Sequence, residues 1–186
     1  MHTRHPRIPT IWLMTDERMG DALWPALERV PPGGGVIFRH YGLGRKARRA
    51  LFVAIRRVAR RRRLILLLAG EDKIGVRADG FHGRSPHRLP GIRSWPAHGR
   101  REVIAGGRAG ADAILISPVF ATRSHPGARM LGAVRAAALA TLVPGRAIAL
   151  GGAGPRSLRR LAPAGFEGWA AIDAWLAPDR TGPGAL

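Results

Sequence analysis

Short apolar runs recur along this 186-residue chain, separated by stretches whose apolar residues follow helical spacing. The run at 64–68 (LILLL) has no polar alternation, which is how a strand reads when both of its faces are covered. Runs of that kind alternating with amphipathic segments are the mark of βα units on a parallel sheet. The strands are expected at 10–14 (TIWLM), 36–40 (VIFRH), 64–68, 78–82 (ADGFH), 91–95, 112–117, 146–150 (RAIAL) and 168–172. Helices are expected at 22–30, 45–62, 98–107, 131–142 and 155–161, the last opened by a proline where its missing N–H costs nothing. Residues 69–76 leave room for about two helical turns, and 85–90 for only a stunted connection. A final helix should start at 173–176, and 178–186 reads as a frayed tail.

Eight such units in one domain predict an α/β fold, a compact (β/α)8 TIM barrel covering 1–186 with its core at about 10–177. A doubly wound open sheet is the rival architecture. A weak internal repeat supports the parse: RADGFH (77–82), GADAIL (110–115) and AGFEGW (164–169) each place small residues and an acid at a strand entrance.

Charge bears on function. The formal net charge is +19, which invites a nucleic-acid reading because a positive surface releases counterions from phosphate backbones. Only Lys46 and Lys73 are lysines, however, and arginine excess alongside many Ala, Gly and Pro reads as a GC-rich coding bias spread over the chain. The dense cluster Arg56, Arg57, Arg60, Arg61, Arg62 and Arg63 follows Leu51, Ile55, Val58 and Ala59 at helical spacing. It reads as the solvated face and C-terminal end of a surface helix, where cations suit the dipole. These features weigh against a nucleic-acid partner.

The absence of cysteine excludes disulfides, thiolate metal sites and a cysteine nucleophile, and fits a reducing compartment, with the cytoplasm as the expected location. The apolar run at 11–14 is too short for a signal-peptide core or a membrane span. The oligomeric state is left open.

In a barrel the chemistry sits on the loops after the strands. The residues there are polar: Thr15 and Asp16; Arg39 and His40; Glu71 and Asp72; His82 and Arg84; Ser94 and His98; Thr122, Arg123, Ser124 and His125; Gly151 and Gly152; Asp173. Gly151 and Gly152 are either a tight turn or a phosphate seat, since glycine permits close backbone approach and a following helix offers N–H groups. Asp16 either caps the first helix or serves the site. His98 either caps the helix at 98–107 or does acid–base work, and His82 and Asp79 either stabilise the barrel or act in it.

SPVFATRSHPG (117–127), AIALGGAG (147–154) and GWAAIDA (168–174), in that order, resemble the thiamine phosphate synthase/TenI family, and WLMTDER (12–18) and ADGFHG (78–83) match the same pattern. The resemblance covers nearly the whole chain. It implies a (β/α)8 barrel that binds phosphorylated pyrimidine and thiazole ligands. One family chemistry couples hydroxymethylpyrimidine pyrophosphate to thiazole phosphate with release of pyrophosphate and magnesium help, and the other is the proton shift of a thiazole tautomerase. Arg39 falls on the arginine that grips pyrophosphate, and Arg84 would join it. Thr122 and Ser124 fall on the hydroxyl positions of the strand-6 loop, beside Arg123. Gly151, Gly152 and Ile172 fall on the thiazole-phosphate site, and His98 on the tautomerase histidine.

The pattern is also broken. The family's Asn-Asp-Asp after strand 3 is replaced by Ala69, Gly70, Glu71 and Asp72, and the aspartate after the strand-4 histidine and glycine by a neighbourhood of Arg84, Ser85, Pro86 and His87. Magnesium takes hard oxygen ligands, so Glu71 and Asp72 are its remaining candidates. His125 stands in the strand-6 lysine position and Tyr41 in the strand-2 lysine position. Asp173 replaces a serine, and a carboxylate there repels phosphate unless an arginine neutralises it. A third expectation is therefore a non-catalytic phosphate-ligand-binding barrel that has lost its magnesium carboxylates.

Overall fold

Every apolar run becomes a strand, and the strands pair in chain order. A computed structural model describes residues 8–70, 74–85, 90–121 and 129–176. The strands are β1 (Ile11–Met14), β2 (Gly35–Phe38), β3 (Ile65–Ala69), β4 (Gly80–His82), β5 (Ile92–Ala97), β6 (Ala113–Ile116), β7 (Ala147–Leu150) and β8 (Phe166–Ala171). All neighbours are parallel, and β8 pairs back onto β1, which closes the barrel and excludes the open sheet. The helices are α1 (Leu23–Arg29), α2 (Arg45–Arg62), α3 (Arg100–Arg108), α4 (Gly132–Ala140) and α5 (Pro155–Leu161). Among the described residues no helix is long and apolar enough to cross a membrane.

Packing follows size complementarity. Trp12 sits opposite Gly35 in the β1–β2 register, and a Cβ on that glycine would run into the indole. Leu13, Ile37, Leu67, Ile114 and Leu115 are fully buried, and each such side chain contributes roughly 2 kcal/mol of apolar transfer. The closure is latched by tryptophans: Trp175 Nε1 donates to the Trp12 carbonyl at 3.1 Å, and the Trp169 and Trp175 rings stack at 5.1 Å.

At the strand entrances the repeated acids bind backbone. Asp79 accepts from Leu66 N–H at 2.8 Å, and Asp112 from Arg93 N–H at 2.7 Å, each tying a strand start to its neighbour. The third repeat differs, because Glu167 is exposed on β8.

Several boundaries depart from the sequence expectation. A 3₁₀ segment, Glu17–Ala22, precedes α1, and Asp16 caps it by accepting from Arg18 N–H at 3.1 Å. β2 ends at Phe38 because His40 takes a positive φ of 33°. β5 continues to Ala97, and β8 begins at Phe166, earlier than its glycine suggested. After β8 there is one 3₁₀ turn, Asp173–Trp175, in place of the start of a longer helix. Residues 71–73, most of the stunted 85–90 connection and the tail lie outside the described residues, and 74–76 is a bend.

On α2 the expected apolar stripe is buried at Phe52, Ile55 and Ala59. Arg61 and Arg62 both pair with Glu28 of α1, while Arg57, Arg60 and Arg63 stay exposed.

Candidate active site

The C-terminal strand ends surround a cavity of about 700 Å³ lined from every unit by a strand residue or by the residues that follow the strand, from Met14 on β1 to Ala171 on β8. Strands 2 to 4 supply most of its positive charge. Arg39 follows β2 and lines the cavity; its backbone N–H donates to Thr15 Oγ1 at 3.1 Å, and that hydroxyl pairs with His40 Nδ1 at 2.9 Å. The Arg39 guanidinium lies 3.7 Å from one oxygen of Asp16, whose other oxygen accepts from Arg18 Nε at 2.7 Å. Burial pushes the Asp16 carboxyl up, but the Arg18 hydrogen bonds and the Arg18 and Arg39 charges outweigh it and hold the group below its ordinary range. Asp16 is thus both a cap and an orienting partner for Arg39.

Behind Arg39 lies a buried guanidinium. Arg48 projects from α2 and donates to the Arg39 carbonyl at 3.0 Å and the Ala69 carbonyl at 2.6 Å, joining the ends of β2 and β3. It also lies over the rings of Phe38 (5.6 Å) and Tyr41 (5.5 Å). Tyr41 therefore lines the cavity as a ring held between cations, with Arg39 5.8 Å from its centroid.

The β4–β6 side carries two histidine–serine pairs. His82 ends β4, is buried, and pairs through Nδ1 with Ser94 Oγ at 2.8 Å. Burial, reinforced by the Arg39 charge, pushes its pKa down to about 3, so the ring is neutral at physiological pH. His98 Nδ1 lies 2.9 Å from the Ser117 carbonyl and 3.2 Å from the Ser117 hydroxyl. A carbonyl only accepts, so Nδ1 carries a proton and donates it to Ser117. Arg84 lines the cavity with Nη2 2.7 Å from Glu102 Oε1 and Nε 3.3 Å from the Pro96 carbonyl.

Across the ring, Gly151 and Gly152 form the turn after β7 with φ of 84° and 60°. A Cβ would lie 2.8 Å from Pro118 Cα at the first and 2.5 Å from the Ala121 carbonyl at the second, so both conformation and space require glycine there. The turn seats the β7 end against the β6 loop, whose Phe120 N–H donates to the Gly151 carbonyl at 3.0 Å. Ile172 and Asp173 complete this end, and the Asp173 charge reaches Arg18.

Of the residues singled out from sequence, Arg39, Arg84, His98, Gly151, Gly152, Ile172 and Asp173 meet on this one cavity. Thr122, Arg123, Ser124 and His125 lie outside the described residues, as do Glu71 and Asp72. Among the described residues no group of three or more acids, histidines or cysteines could hold a metal, and Asp173 is the acid lining the cavity. Among the described residues this leaves one carboxylate beside cationic side chains, short of the near-octahedral oxygen ligation that magnesium takes. Sequence reasoning passed over Arg48, although it extends the buried stripe of Phe52, Ile55 and Ala59 back by one helical turn. It also gave little weight to Tyr41 and Ser117.

The family model described as Thiamine monophosphate synthase (TMP-TENI) matches residues 12–175. Among solved structures, a thiamine phosphate pyrophosphorylase from Pyrococcus furiosus is similar at 19% identity and a TM-score of 0.76, over 94% of this chain and 90% of that one. A thiamine phosphate pyrophosphorylase from Bacteroides thetaiotaomicron gives 19% identity and a TM-score of 0.60, over 92% and 87%. FabK from Thermotoga maritima shares the fold at 15% identity and a TM-score of 0.70, over 92% of this chain and 60% of that one. A search of curated proteins returns no match.

Proposed function

We propose, from the premise that this chain belongs to the thiamine monophosphate synthase family, that its cavity joins hydroxymethylpyrimidine pyrophosphate to a thiazole and releases pyrophosphate. The observation that carries this reading is the division of the cavity. Arg39 and Arg84 stand at the ends of β2 and β4, while the Gly151–Gly152 turn follows β7. In a ring of eight, β3 and β7 are diametrically opposed, so a cationic side faces a small-residue side across the space where two substrates must meet.

The bond from the pyrimidine methylene carbon to the pyrophosphate oxygen breaks, and its electron pair leaves on that oxygen. The lone pair of the thiazole nitrogen forms the new C–N bond, giving a thiazolium, and no proton changes hands. Charge stabilisation of the departing pyrophosphate therefore carries most of the rate. Guanidinium forks suit that task because they give paired, charge-assisted hydrogen bonds. Asp16 beside Arg39 and Glu102 beside Arg84 hold the forks in place. Neutral His82 adds a polar edge without adding charge. Thr122 and Ser124 are assigned to the pyrimidine end and leaving group on the family pattern.

The test is direct. Purified protein is incubated with pyrimidine pyrophosphate and thiazole, with magnesium or with chelator, and coupled product is read by mass spectrometry. A folded protein that makes no coupled product under either condition overturns the reading.

A further inference from the structure

Arg48 is a charged side chain where the pattern of its helix calls for an apolar one. It lies one turn before Phe52 on the inward stripe of α2 and is 1% exposed. An apolar side chain would complete that stripe, whereas a buried guanidinium is costly unless its N–H groups find acceptors. Its acceptors include backbone carbonyls at the ends of two barrel strands. Nε and Nη2 reach the Arg39 carbonyl at 3.3 and 3.0 Å, and Nη2 also donates to the Ala69 carbonyl at 2.6 Å. The residues beside those carbonyls line the cavity: Arg39 and Tyr41 after β2, and Gly70 after β3.

The peptide that Arg48 grips also lies at a strained turn. His40 has a φ of 33°, a conformation that a non-glycine residue keeps only where its surroundings hold it. Thr15 Oγ1 accepts the Arg39 N–H at 3.1 Å and pairs with His40 Nδ1 at 2.9 Å, which ties the turn to the end of β1. Arg48 holds the carbonyl between Arg39 and His40, and its guanidinium lies 5.6 Å from the Phe38 ring, on which His40 stacks at 5.0 Å. Arg39 is thus fixed at its N–H, at its carbonyl and, beside Asp16 at 3.7 Å, at its guanidinium. Arg48 does not itself line the cavity, so its route to a ligand runs through Arg39.

We propose that Arg48 is a positioning residue for coupling: by gripping the Arg39 carbonyl it aims the Arg39 guanidinium at the departing pyrophosphate. The inference rests on the coupling reaction above. Misplacing a group by about 1 Å can slow a reaction by about 100-fold, so a clasp behind the contacting side chain has a measurable effect on rate.

The experiment is a double-mutant cycle. It measures kcat/KM for coupling in the unaltered chain, Arg48→Leu, Arg39→Ala and the two combined, each checked for cooperative melting and scaled to folded protein. Arg48→Leu alone should lower kcat/KM by about 30-fold, with KM for the thiazole changed by less than about twofold. In the Arg39→Ala background the same change should cost less than about threefold, because the group that Arg48 aims is already gone. Arg48→Lys keeps a charge but not the fork, and should lose at least about fivefold. It carries the same cycle if Arg48→Leu does not melt cooperatively. Equal losses in both backgrounds, or a raised thiazole KM that accounts for the whole loss, mean a general structural role. Either result overturns the inference and leaves the coupling reaction standing, as does full activity in folded Arg48→Leu. No coupling by the unaltered folded chain overturns both the inference and the reaction on which it rests.

Discussion

The two rims of the barrel use acids differently. At the N-terminal rim, Asp79 and Asp112 each accept a backbone N–H from the preceding strand. At the C-terminal rim, Asp16 faces Arg18 and Arg39, and Glu102 faces Arg84. A backbone-bound carboxylate is committed to structure, since removing it leaves a buried donor without its acceptor. An acid paired with a half-exposed guanidinium adds little to stability, yet it orients a cation that a ligand can share. Substitutions at the lower rim should therefore change stability with little effect on turnover, and those at the upper rim the reverse.

The sharpest way to break that contrast is Arg39→Ala. Loss of one charge-stabilising group should lower the coupling rate about 100-fold or more, while the melting temperature moves by only a few degrees. Rapid-quench product formation beside calorimetry checks both halves. If the melt collapses instead, the upper rim is structural as well. Next in size is Asp112→Ala, expected to cost roughly 2 kcal/mol through the orphaned Arg93 N–H; kcat/KM per folded molecule should stay the same. Urea denaturation would contradict the division of roles if it showed full stability alongside lost activity.

Acid titration sharpens the comparison on a third axis. His82 has a folded pKa of about 3 against an ordinary 6.5, so the unfolded chain takes up its proton first. Its contribution to stability is whole above about pH 6.5 and declines towards pH 3, by up to ~1.4 kcal/mol per pH unit. His40, also pushed down by burial, adds in the same direction. In His82→Gln the slope of stability against pH should flatten between those limits. The smallest effect expected is that of His98→Ala, which should slow coupling by less than about tenfold, because the reaction moves no proton. A collapse of activity in that variant would favour an isomerase that uses Nε2 as its base.

Much of the fold was legible because barrel strands are covered on both faces and so read as unbroken apolar runs. α2 and α5 end where their patterns end. β2 and β8 were harder. The positive φ of His40 ends the first early, and Phe166 and Glu167 read as the entrance to the strand because the exposed acid interrupts the apolar run. In the site, glycines and strand-end cations were visible from their position after strands. Arg48 was not, because an arginine in an acid-free basic helix reads as solvated, and only the register of Phe52, Ile55 and Ala59 shows that it faces inward.

The closure of the barrel also bears on how this chain is made. Strand β8 pairs with β1, and Trp175 donates to Trp12 across 163 positions of sequence. Contacts so distant in sequence form late. While the chain is being synthesised, β1 to β7 can assemble as an open sheet whose two edges present unpaired backbone, a template for strands of other chains. That interval ends only when the tryptophans meet. The latch at Trp12, Trp169 and Trp175 thus governs how long nascent chains stay exposed to one another, and weakening it should appear first as loss of soluble yield.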